Sequence, residues 1–368
     1  MSFSLNLFIR ADASSIIGLG HLYRTLVFAK YALQYGTKVH YFCRDHDGYD
    51  YSWLLKHGVA LTVRQSRKEL VFDSVENSTD DKDWLGVSSI DDSDEFNMLL
   101  SQSVKDKTIV LVDHYGVDIC WENSVREYCD QLITISDKAS RKYGADIVVD
   151  PTFNRVPEEY LNYVNGNTQV LTGGNMCFID NRFLELKSGA LSRRKRKAKV
   201  SNILIMFGGA DPLNLTDKLL EQLISSGMRH NLNIVIGSAN KHKAQIKKKY
   251  SYLSFIKIHY NTTEMPKLTA EADLAIGAAG SACWERAVLG LPSIIVPFES
   301  NQLDIAHSLN KVHAAEIVTL EHFSSLSERV ALLCKSYKNR KILTENSSTI
   351  CDGQGALRLY TRLVNKYV

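Results

Sequence analysis

A loop with two glycines and one histidine lies near the N-terminus, in the segment RADASSIIGLGHLYR, between a short apolar strand pattern and a helix pattern. Imidazole titrates near neutral pH, so His21 could accept a proton from a water molecule. Gly18 and Gly20 would let a ligand approach the backbone closely, and Asp12 could either orient His21 or cap the loop. These residues alone leave a second interpretation open, a tight strand–helix turn without a chemical role.

A second group suited to a ligand lies in the segment GAAGSACWERA, which follows an apolar strand pattern at Leu274–Gly277. A helix begins near Ser281, so the amide groups of Gly280 and Ser281, together with the helix dipole, suit a diphosphate. Glu285 lies one turn further on the same face, where its carboxylate could accept both hydroxyls of a ribose. The alternative is that Glu285 is a helix acid that faces solvent.

Three further strand patterns end in residues that suit substrate contacts. Tyr115, in the segment DHYG, could form a hydrogen bond with a polar substrate, and the pair Gly208 and Gly209 suits close approach to a phosphate. Asn301 and Gln302 carry amides, which suit sugar hydroxyls or acetamido groups. The simpler alternatives are a half-buried tyrosine in a turn and a helix cap at Asn301.

The motifs predict neither a metal nor a cofactor. The 11 His show no HxH or HExxH spacing, and the 7 Cys include no CxxC pair. Scattered thiols are typical of a reducing compartment, and the sequence contains neither a secretory signal pattern nor an apolar stretch of about 18 residues. We therefore expect a cytoplasmic protein without a membrane span.

Length and charge narrow the class of protein further. The 368 residues predict two or three domains, and 45% apolar with 23% charged residues exclude a largely disordered chain. Lys and Arg number 44 against 41 Asp and Glu, a net charge of +3 that gives no general attraction to nucleic acid or to an anionic membrane. We expect a monomer that acts on a small molecule.

Strand and helix patterns alternate along the chain, which is typical of an α/β fold with parallel sheets covered by helices on both faces. The first half has strand patterns at Leu5–Arg10, Val39–Cys43, Ile109–Val112, Leu132–Ser136 and Ile147–Asp150. The same order restarts at Asn202–Phe207. The sequence therefore predicts two doubly wound, Rossmann-like domains with a cleft between them.

The predicted domain boundaries follow from this restart and from two charged segments. Residues 67–106 hold 11 acidic and 4 basic side chains, and we expect a solvated surface excursion there without a catalytic role. Residues 192–200 (SRRKRKAKV) hold six Lys and Arg, and we expect a solvated linker. The predicted parts are residues 1–191, the linker 192–200, residues 201–352 and a C-terminal helix within 353–368.

Six segments resemble, in the same order along the chain, those of the nucleotide-sugar hydrolases of the pseudaminic acid pathway. These segments are RADASSIIGLGHLYR, DHYGVDICWE, LIMFGGADPLNLT, AIGAAGSACWERAVLGLP, PFESNQLDIA and DGQGALR. The resemblance implies a GT-B fold and the removal of UDP from UDP-2,4-diacetamido-2,4,6-trideoxy-β-L-altropyranose. It further implies inverting attack of water at the anomeric carbon without a metal, and a C-terminal helix that crosses back to the first domain.

The resemblance also implies roles for individual residues. It matches His21 to the family's catalytic histidine and Tyr115 and Asn301 to the tyrosine and asparagine of its active site. The remaining positions expected to contact UDP or the sugar are Asp12, Gly18, Gly20, Arg24, Gly208, Gly209, Met265, Ala279, Gly280, Ser281, Glu285 and Gln302. A GT-B glycosyltransferase that uses a UDP-sugar donor is the alternative, since its UDP contacts would be the same. A nucleotide-sugar sensor without activity is a third interpretation.

Overall fold

The computed structural model describes residues 5–14, 17–46, 48–67, 81–103 and 106–367. The chain forms two compact units, which we call the first and the second unit. The first unit comprises Met1–Phe178 together with Gln354–Val368, and the second comprises Ile179–Gly353.

Each unit is built on one set of strands. Those of the first unit are β1 (Leu5–Ala11), β2 (Lys38–Asp45), β3 (Ala60–Gln65), β4 (Lys107–Asp113), β5 (Gln131–Ile135), β6 (Ile147–Asp150) and β7 (Gln169–Thr172). Those of the second unit are β8 (Asn202–Met206), β9 (Asn231–Ile236), β10 (Ile256–Tyr260), β11 (Leu274–Gly277), β12 (Ser293–Ile295) and β13 (Glu316–Ile317).

Helices connect these strands. They are α1 (Gly20–Gln34), α2 (Ser89–Leu100), α3 (Ile119–Arg126), α4 (Asn181–Arg196), α5 (Leu215–Ser225), α6 (Lys243–Tyr250), α7 (Met265–Glu271), α8 (Ala282–Val288), α9 (Ser300–Lys311), α10 (Leu326–Lys335), α11 (Tyr337–Ser347) and α12 (Gly355–Tyr367). Short 3-10 helices lie at Ser52–His57, Asp81–Leu85, Ser101–Ser103, Pro157–Tyr160, Gly174–Met176 and Leu320–Ser325.

The first unit contains a parallel sheet with the strand order β3-β2-β1-β4-β5-β6-β7. Its central strands β1, β4 and β5 are buried along almost their whole length, as expected for strands covered by helices on both faces. The chain passes from β1 to β2 on one side and returns to β4 on the other. The carboxyl ends of β1 and β4 therefore form a topological switch point, where open α/β sheets bind ligands.

The second unit repeats this arrangement with the order β10-β9-β8-β11-β12-β13, again with parallel pairs. Its switch point lies between β8 and β11, where Gly277 pairs with Met206. This pairing needs a glycine, because a Cβ at position 277 would lie 2.0 Å from the Met206 carbonyl oxygen. The predicted pair of doubly wound α/β units is therefore confirmed.

The sequence located the buried strands but missed three of the four strands at the edges of the two described sheets. Leu274–Gly277 and Ile147–Asp150 have the predicted bounds, and β1 extends the predicted strand by one residue. The missed strands β3, β7 and β13 each lie at or near a sheet edge and are at most half-buried, so they lack the continuous apolar run of a central strand.

The expectation of a solvated acidic excursion at 67–106 is wrong for its C-terminal part, while residues 68–80 and 104–105 lie outside the described residues. Residues 89–100 form α2, and its Asp92 is fully buried. Its carboxylate accepts hydrogen bonds from Arg10 Nε at 2.9 Å, Arg44 Nε at 2.5 Å and Trp121 Nε1 at 2.8 Å. Because two guanidinium groups are buried beside it, this acidic residue belongs to the interior.

The basic run at 192–200 is likewise not a solvated linker. Its first residues form the last turn of α4, which belongs to the second unit, and the chain divides at Phe178. Arg193 and Lys197 both bind Asp273, at 2.6 and 2.8 Å, and the buried Arg194 donates to the carbonyl oxygen of Thr269 at 2.7 Å. These acceptors bind the three cationic side chains to the second unit and fix the C-terminal end of α4.

The C-terminal helix α12 contributes Ala356, Leu359 and Leu363 to the apolar core of the first unit. Tyr360 of the same helix shares a hydrogen bond of 2.8 Å with Thr37. Among the residues that the structure describes, no helix combines the length and the apolar character needed to span a bilayer.

We predict that Asp92→Ala lowers the free energy of unfolding by about 3 kcal/mol, because it leaves two buried guanidinium groups without their shared partner. Asp94→Ala, at an exposed position of the same helix, is the control and should change stability by about 0.5 kcal/mol or less. Urea unfolding followed by circular dichroism measures both. An equal effect of the two substitutions would contradict a structural role for the buried carboxylate.

Candidate active site

Three neighbouring strands of the first unit bring the candidate catalytic residues together. Ala11 at the end of β1 pairs with Asp113 at the end of β4, and Val112 pairs with Thr134 of β5. Asp113 is the last residue of β4, and the segments that leave the three strands carry His21 on α1, Tyr115 after β4 and Asp137 after β5. These side chains meet because the carboxyl ends of adjacent parallel strands lie at one edge of the sheet.

His21 forms a buried pair with Asp113. The imidazole is 6% exposed, and its Nδ1 lies 2.7 Å from Oδ1 of the fully buried carboxylate. Burial by itself would raise the pKa of Asp113, but the charges of Arg24 and His21 and their hydrogen bonds lower it to about 2. The carboxylate is therefore ionised at any pH near neutrality.

The ionised carboxylate determines the tautomer of the neutral imidazole. A carboxylate can only accept hydrogen bonds, so Nδ1 of His21 carries the hydrogen and donates it to Asp113. Nε2 then has a free lone pair, which is the form needed in a general base. The same carboxylate would stabilise the imidazolium that forms when Nε2 accepts a proton.

Arg24 is surrounded by carboxylates. Its Nε and Nη2 donate to the two oxygens of Asp113 at 2.5 and 2.6 Å, and its Nη1 donates to both oxygens of Asp137 at 2.9 Å. The sequence predicts a substrate or UDP contact for Arg24. In the structure its three nitrogens are bound to protein carboxylates, so it acts within the site as a bridge between two acids.

Tyr115 lies against His21 and is fixed from several sides. The two rings form a T-shaped contact with centroids 4.8 Å apart, and the Tyr115 hydroxyl donates to Asp137 Oδ2 at 2.6 Å. Lys138 Nζ lies 4.6 Å from the centroid of the tyrosine ring. Burial and the nearby Asp137 carboxylate raise the pKa of Tyr115, so its hydroxyl stays protonated near neutrality.

Asp12 neither orients His21 nor caps the loop, contrary to both sequence-based hypotheses. Its Oδ1 accepts from the Arg44 amide at 2.8 Å and from the Arg10 guanidinium at 2.5 Å. Its Oδ2 lies 2.9 Å from His46 Nε2 and 3.1 Å from His114 Nε2. Asp12 is therefore the acceptor at the centre of a buried polar cluster beside the catalytic residues.

The atoms of Asp12, His46 and His114 also satisfy the spacing of a metal site, which the linear sequence did not reveal. Two features of this cluster oppose a bound cation. The Gly116 amide donates to His114 Nδ1 at 3.1 Å, so the hydrogen of the neutral ring is on Nε2, the atom that a metal would need. The bound Arg10 guanidinium adds a positive charge that opposes a cation at the same carboxylate.

In the second unit a narrow gap lies beside β8 and β11, too tight to admit a water molecule. Met265 and Glu285 both line it, with Leu204, Met206, Thr269, Ala275, Ile276, Ala282 and Arg286. Among the described residues, the amides of Gly280 and Ser281 have no hydrogen-bond acceptor, and a Cβ at position 280 would meet no atom within 4 Å. The amides without an acceptor, near the start of α8, are donors of the kind that bind a diphosphate.

Glu285 is the acidic residue of this region whose pKa is shifted. Withdrawal from water raises its pKa to about 7, Asp180 adds to the rise, and Arg286 and Arg182 oppose it. Arg182 itself is held by Asp180 at 3.0 Å and by the Thr263 carbonyl oxygen at 3.0 Å. The carboxyl group of Glu285 therefore changes its charge at a pH close to neutrality.

Other predicted contact positions have local structural roles. Gly18 adopts a φ of 77°, which a glycine tolerates, and Gly20 begins α1. Ala279 is fully buried. Gln302 accepts from the Phe298 amide at 3.2 Å and donates to Glu299 at 3.1 Å, so both ends of its amide stabilise the loop before it. Asn301 lies in α9, but its side chain is outside the described residues.

The loop at Gly208 and Gly209 does not present an open helix end. Asp211 accepts from the amides of Leu215 at 2.8 Å and Thr216 at 3.0 Å, so its carboxylate already occupies the N-terminus of α5. Only the backbone of the two glycines is therefore available for the predicted close approach of a phosphate. Gly208 has a φ of 83°.

The sequence analysis missed two acids of the site, Asp113 and Asp137. Asp113 ends β4, and Asp137 follows β5 after one serine. The signal that could have found them is their place at the carboxyl ends of two buried strands, since the sequence analysis had already singled out Tyr115 just after the first of these strands.

Comparisons with known proteins place the second unit in context. Residues 202–352 match the sequence profile of the glycosyltransferase family 28 C-terminal domain. An uncharacterized protein of Methanocaldococcus jannaschii is 29% identical over 291 residues, which are 77% of this chain and 54% of that protein. The chain thus spans about half the length of this relative.

Two further relatives have descriptive names. The spore coat polysaccharide biosynthesis protein SpsG of Bacillus subtilis is 26% identical over 266 residues, 70% of this chain and 77% of that protein. The UDP-2,4-diacetamido-2,4,6-trideoxy-beta-L-altropyranose hydrolase of Campylobacter jejuni is 21% identical over 302 residues, 82% of this chain and 95% of that protein.

Solved structures show the fold. MurG of Acinetobacter baumannii has a TM-score of 0.64 at 18% identity and covers 99% of both chains. UGT2 of Phytolacca americana, complexed with UDP-2-fluoro-glucose and pterostilbene, has a TM-score of 0.67 at 13% identity over 100% and 99% of the two chains. The chain has the predicted GT-B fold, and its second unit resembles the C-terminal domain of glycosyltransferase family 28.

Proposed function

We propose that this protein is a UDP-sugar hydrolase that releases UDP from a 2,4-diacetamido-2,4,6-trideoxy sugar by inverting attack of water. The observation that carries the proposal is the buried Asp113–His21 pair, whose geometry leaves Nε2 of the neutral imidazole as a base. The hydrolase of Campylobacter jejuni, similar over 95% of its length, supports the choice of substrate.

The second unit would hold the nucleotide. Its match to the glycosyltransferase family 28 C-terminal domain supports this assignment, as do the amides of Gly280 and Ser281 without an acceptor. The amides of Gly280 and Ser281 would bind the diphosphate, Glu285 the ribose hydroxyls and the region of Met265 the uracil. Asn301 and Tyr115 are proposed contacts of the sugar.

The reaction is a displacement at the anomeric carbon. The oxygen of water attacks this carbon while the bond to the UDP oxygen breaks, and the electron pair of that bond goes to UDP. His21 Nε2 accepts the proton of the water, and Asp113 stabilises the imidazolium. UDP leaves as an anion held by backbone amides, so neither a strong acid nor a metal has a step in this proposal.

A glycosyltransferase is the second candidate, because MurG and UGT2 share the fold over nearly the whole chain. A base that activates water could equally activate an acceptor hydroxyl. Proton NMR of the purified protein with the UDP-diacetamido sugar and no acceptor separates the two. Stoichiometric appearance of free sugar, first as the inverted anomer, is expected; an unchanged substrate that reacts only when an acceptor is added would contradict hydrolysis.

We predict that His21→Leu lowers kcat by about 100-fold to 10,000-fold, the range expected for loss of a general base, with little change in UDP affinity. His57→Leu, in a 3-10 helix of the same unit, is the matched control and should retain activity. UDP release and UDP calorimetry measure the two effects. Substantial turnover by the His21 variant would remove this residue from the proposed role.

We predict that UDP binding weakens as the pH falls below about 7. The pKa of Glu285 is raised to about 7, so its carboxylate becomes protonated there and accepts ribose hydroxyls less well. Glu285→Gln should bind UDP more weakly above pH 7 and lose this part of the pH dependence. Calorimetry between pH 6 and pH 8 compares the wild type with the variant. Protonation of UDP itself affects both proteins equally, so it cancels in this comparison. Identical pH slopes would speak against the assignment of Glu285.

A further inference from the structure

Arg24 and Asp137 extend the Asp113–His21 pair into a continuous chain of charged contacts. Asp113 receives three donors, His21 Nδ1, Arg24 Nε and Arg24 Nη2. The remaining guanidinium nitrogen of Arg24 binds both oxygens of Asp137. Asp137 in turn accepts the hydroxyl of Tyr115, whose ring packs against His21. The chain therefore begins and ends at the imidazole.

This closed arrangement restricts the geometry of its members. A guanidinium is planar and its donors have a fixed fork, so the bidentate contact with Asp113, together with the Nη1 contact to Asp137, fixes the plane of Arg24 and with it the Asp113 carboxylate. Arg24 and Asp113 expose little or none of their side chains, 12% and 0%. The imidazole then has one orientation in which it meets Asp113 at Nδ1 and Tyr115 at its ring.

The arrangement also determines the charge around the imidazole. Arg24 Nη2 lies 3.5 Å from His21 Nδ1, which places a positive charge beside the ring. Asp137 binds the other side of Arg24 and partly balances that charge. The titratable and charged groups that surround His21 from α1, from the end of β4 and from the segment after β5 are Arg24, Asp113, His114, Tyr115, Asp137 and Lys138.

We propose that Arg24 and Asp137 are positioning residues of the active site, which fix the orientation of the Asp113–His21 pair and set the balance of charge at the imidazole. The inference deepens the proposed function and rests on it for the catalytic meaning of His21. Neither residue would contact the nucleotide, so Arg24 acts on the base and not on the phosphates.

The decisive measurement is the titration of the His21 ring in the full chain, by NMR of protein labelled with carbon-13 in histidine. His21→Gln assigns the signal. Arg24→Gln removes a positive charge beside the ring, so the titration midpoint should rise by about one pH unit. Asp137→Asn removes a negative charge and keeps the shape of the side chain, so the midpoint should fall, by about half a pH unit.

Controls separate charge from general damage to the structure. Arg126→Gln removes a partly exposed guanidinium that binds Asp146 in the same unit, and it should leave the midpoint unchanged. Arg24→Lys keeps the charge and should give a midpoint between the wild type and Arg24→Gln; it also serves as the test should Arg24→Gln fail to fold. Shifts in the same direction for the Arg24 and Asp137 variants, or no shift, would overturn the proposal.

The activity measurement distinguishes this inference from the proposed function. If His21 is the base, the acidic limb of kcat/KM against pH moves with the NMR midpoint of the free protein in each variant, upward for Arg24→Gln and downward for Asp137→Asn. Opposite NMR shifts without a matching change in the kcat/KM profile would support the positioning roles and contradict the catalytic role of His21. The NMR titration needs no substrate, so it tests the inference even if hydrolysis is not observed.

Discussion

The buried carboxylate of Asp113 is the constraint on which the first unit depends. An ionised carboxylate in the interior is costly unless donors surround it, and here one imidazole and two guanidinium nitrogens do so. Because Asp113 ends β4, these donors must come from the neighbouring connections, which draws α1 towards the end of β4. Because the Asp113 carboxylate needs hydrogen-bond donors, His21 and Arg24 both lie beside it.

The same rule repeats nearby with different partners. Asp12 and Asp92 are fully buried, and each is matched by Arg10, while Arg44 binds Asp92 through its side chain and Asp12 through its amide. The interior of this sheet edge therefore contains alternating acids and guanidinium groups. Breaking one contact leaves an unpaired charge, so such a cluster specifies one arrangement even where its net contribution to stability is small.

The sequence predicted what depends on apolar patterns and on strand ends. The central strands β1, β4 and β11 were visible as short apolar runs, and His21 and Tyr115 were found as polar residues just beyond such runs. Edge strands such as β3 were missed because their pairing comes from the backbone and their side chains stay half exposed. The partners of Asp12 and Asp92 were missed because most of them lie far away along the chain. Ion pairs between such distant residues produce no periodic pattern in a sequence.

The two units carry different kinds of information about the chemistry. The match to glycosyltransferase family 28 is confined to residues 202–352, and the nucleotide site proposed there would suit a hydrolase and a transferase alike. What distinguishes the two reactions is the nucleophile, and the group proposed to activate it belongs to the first unit. The His21–Asp113 pair lies within the first unit, and its two charged neighbours Arg24 and Asp137 belong to that same unit. Under the proposed function, the surroundings of this imidazole select the nucleophile, whereas the residues proposed to bind UDP would serve either reaction.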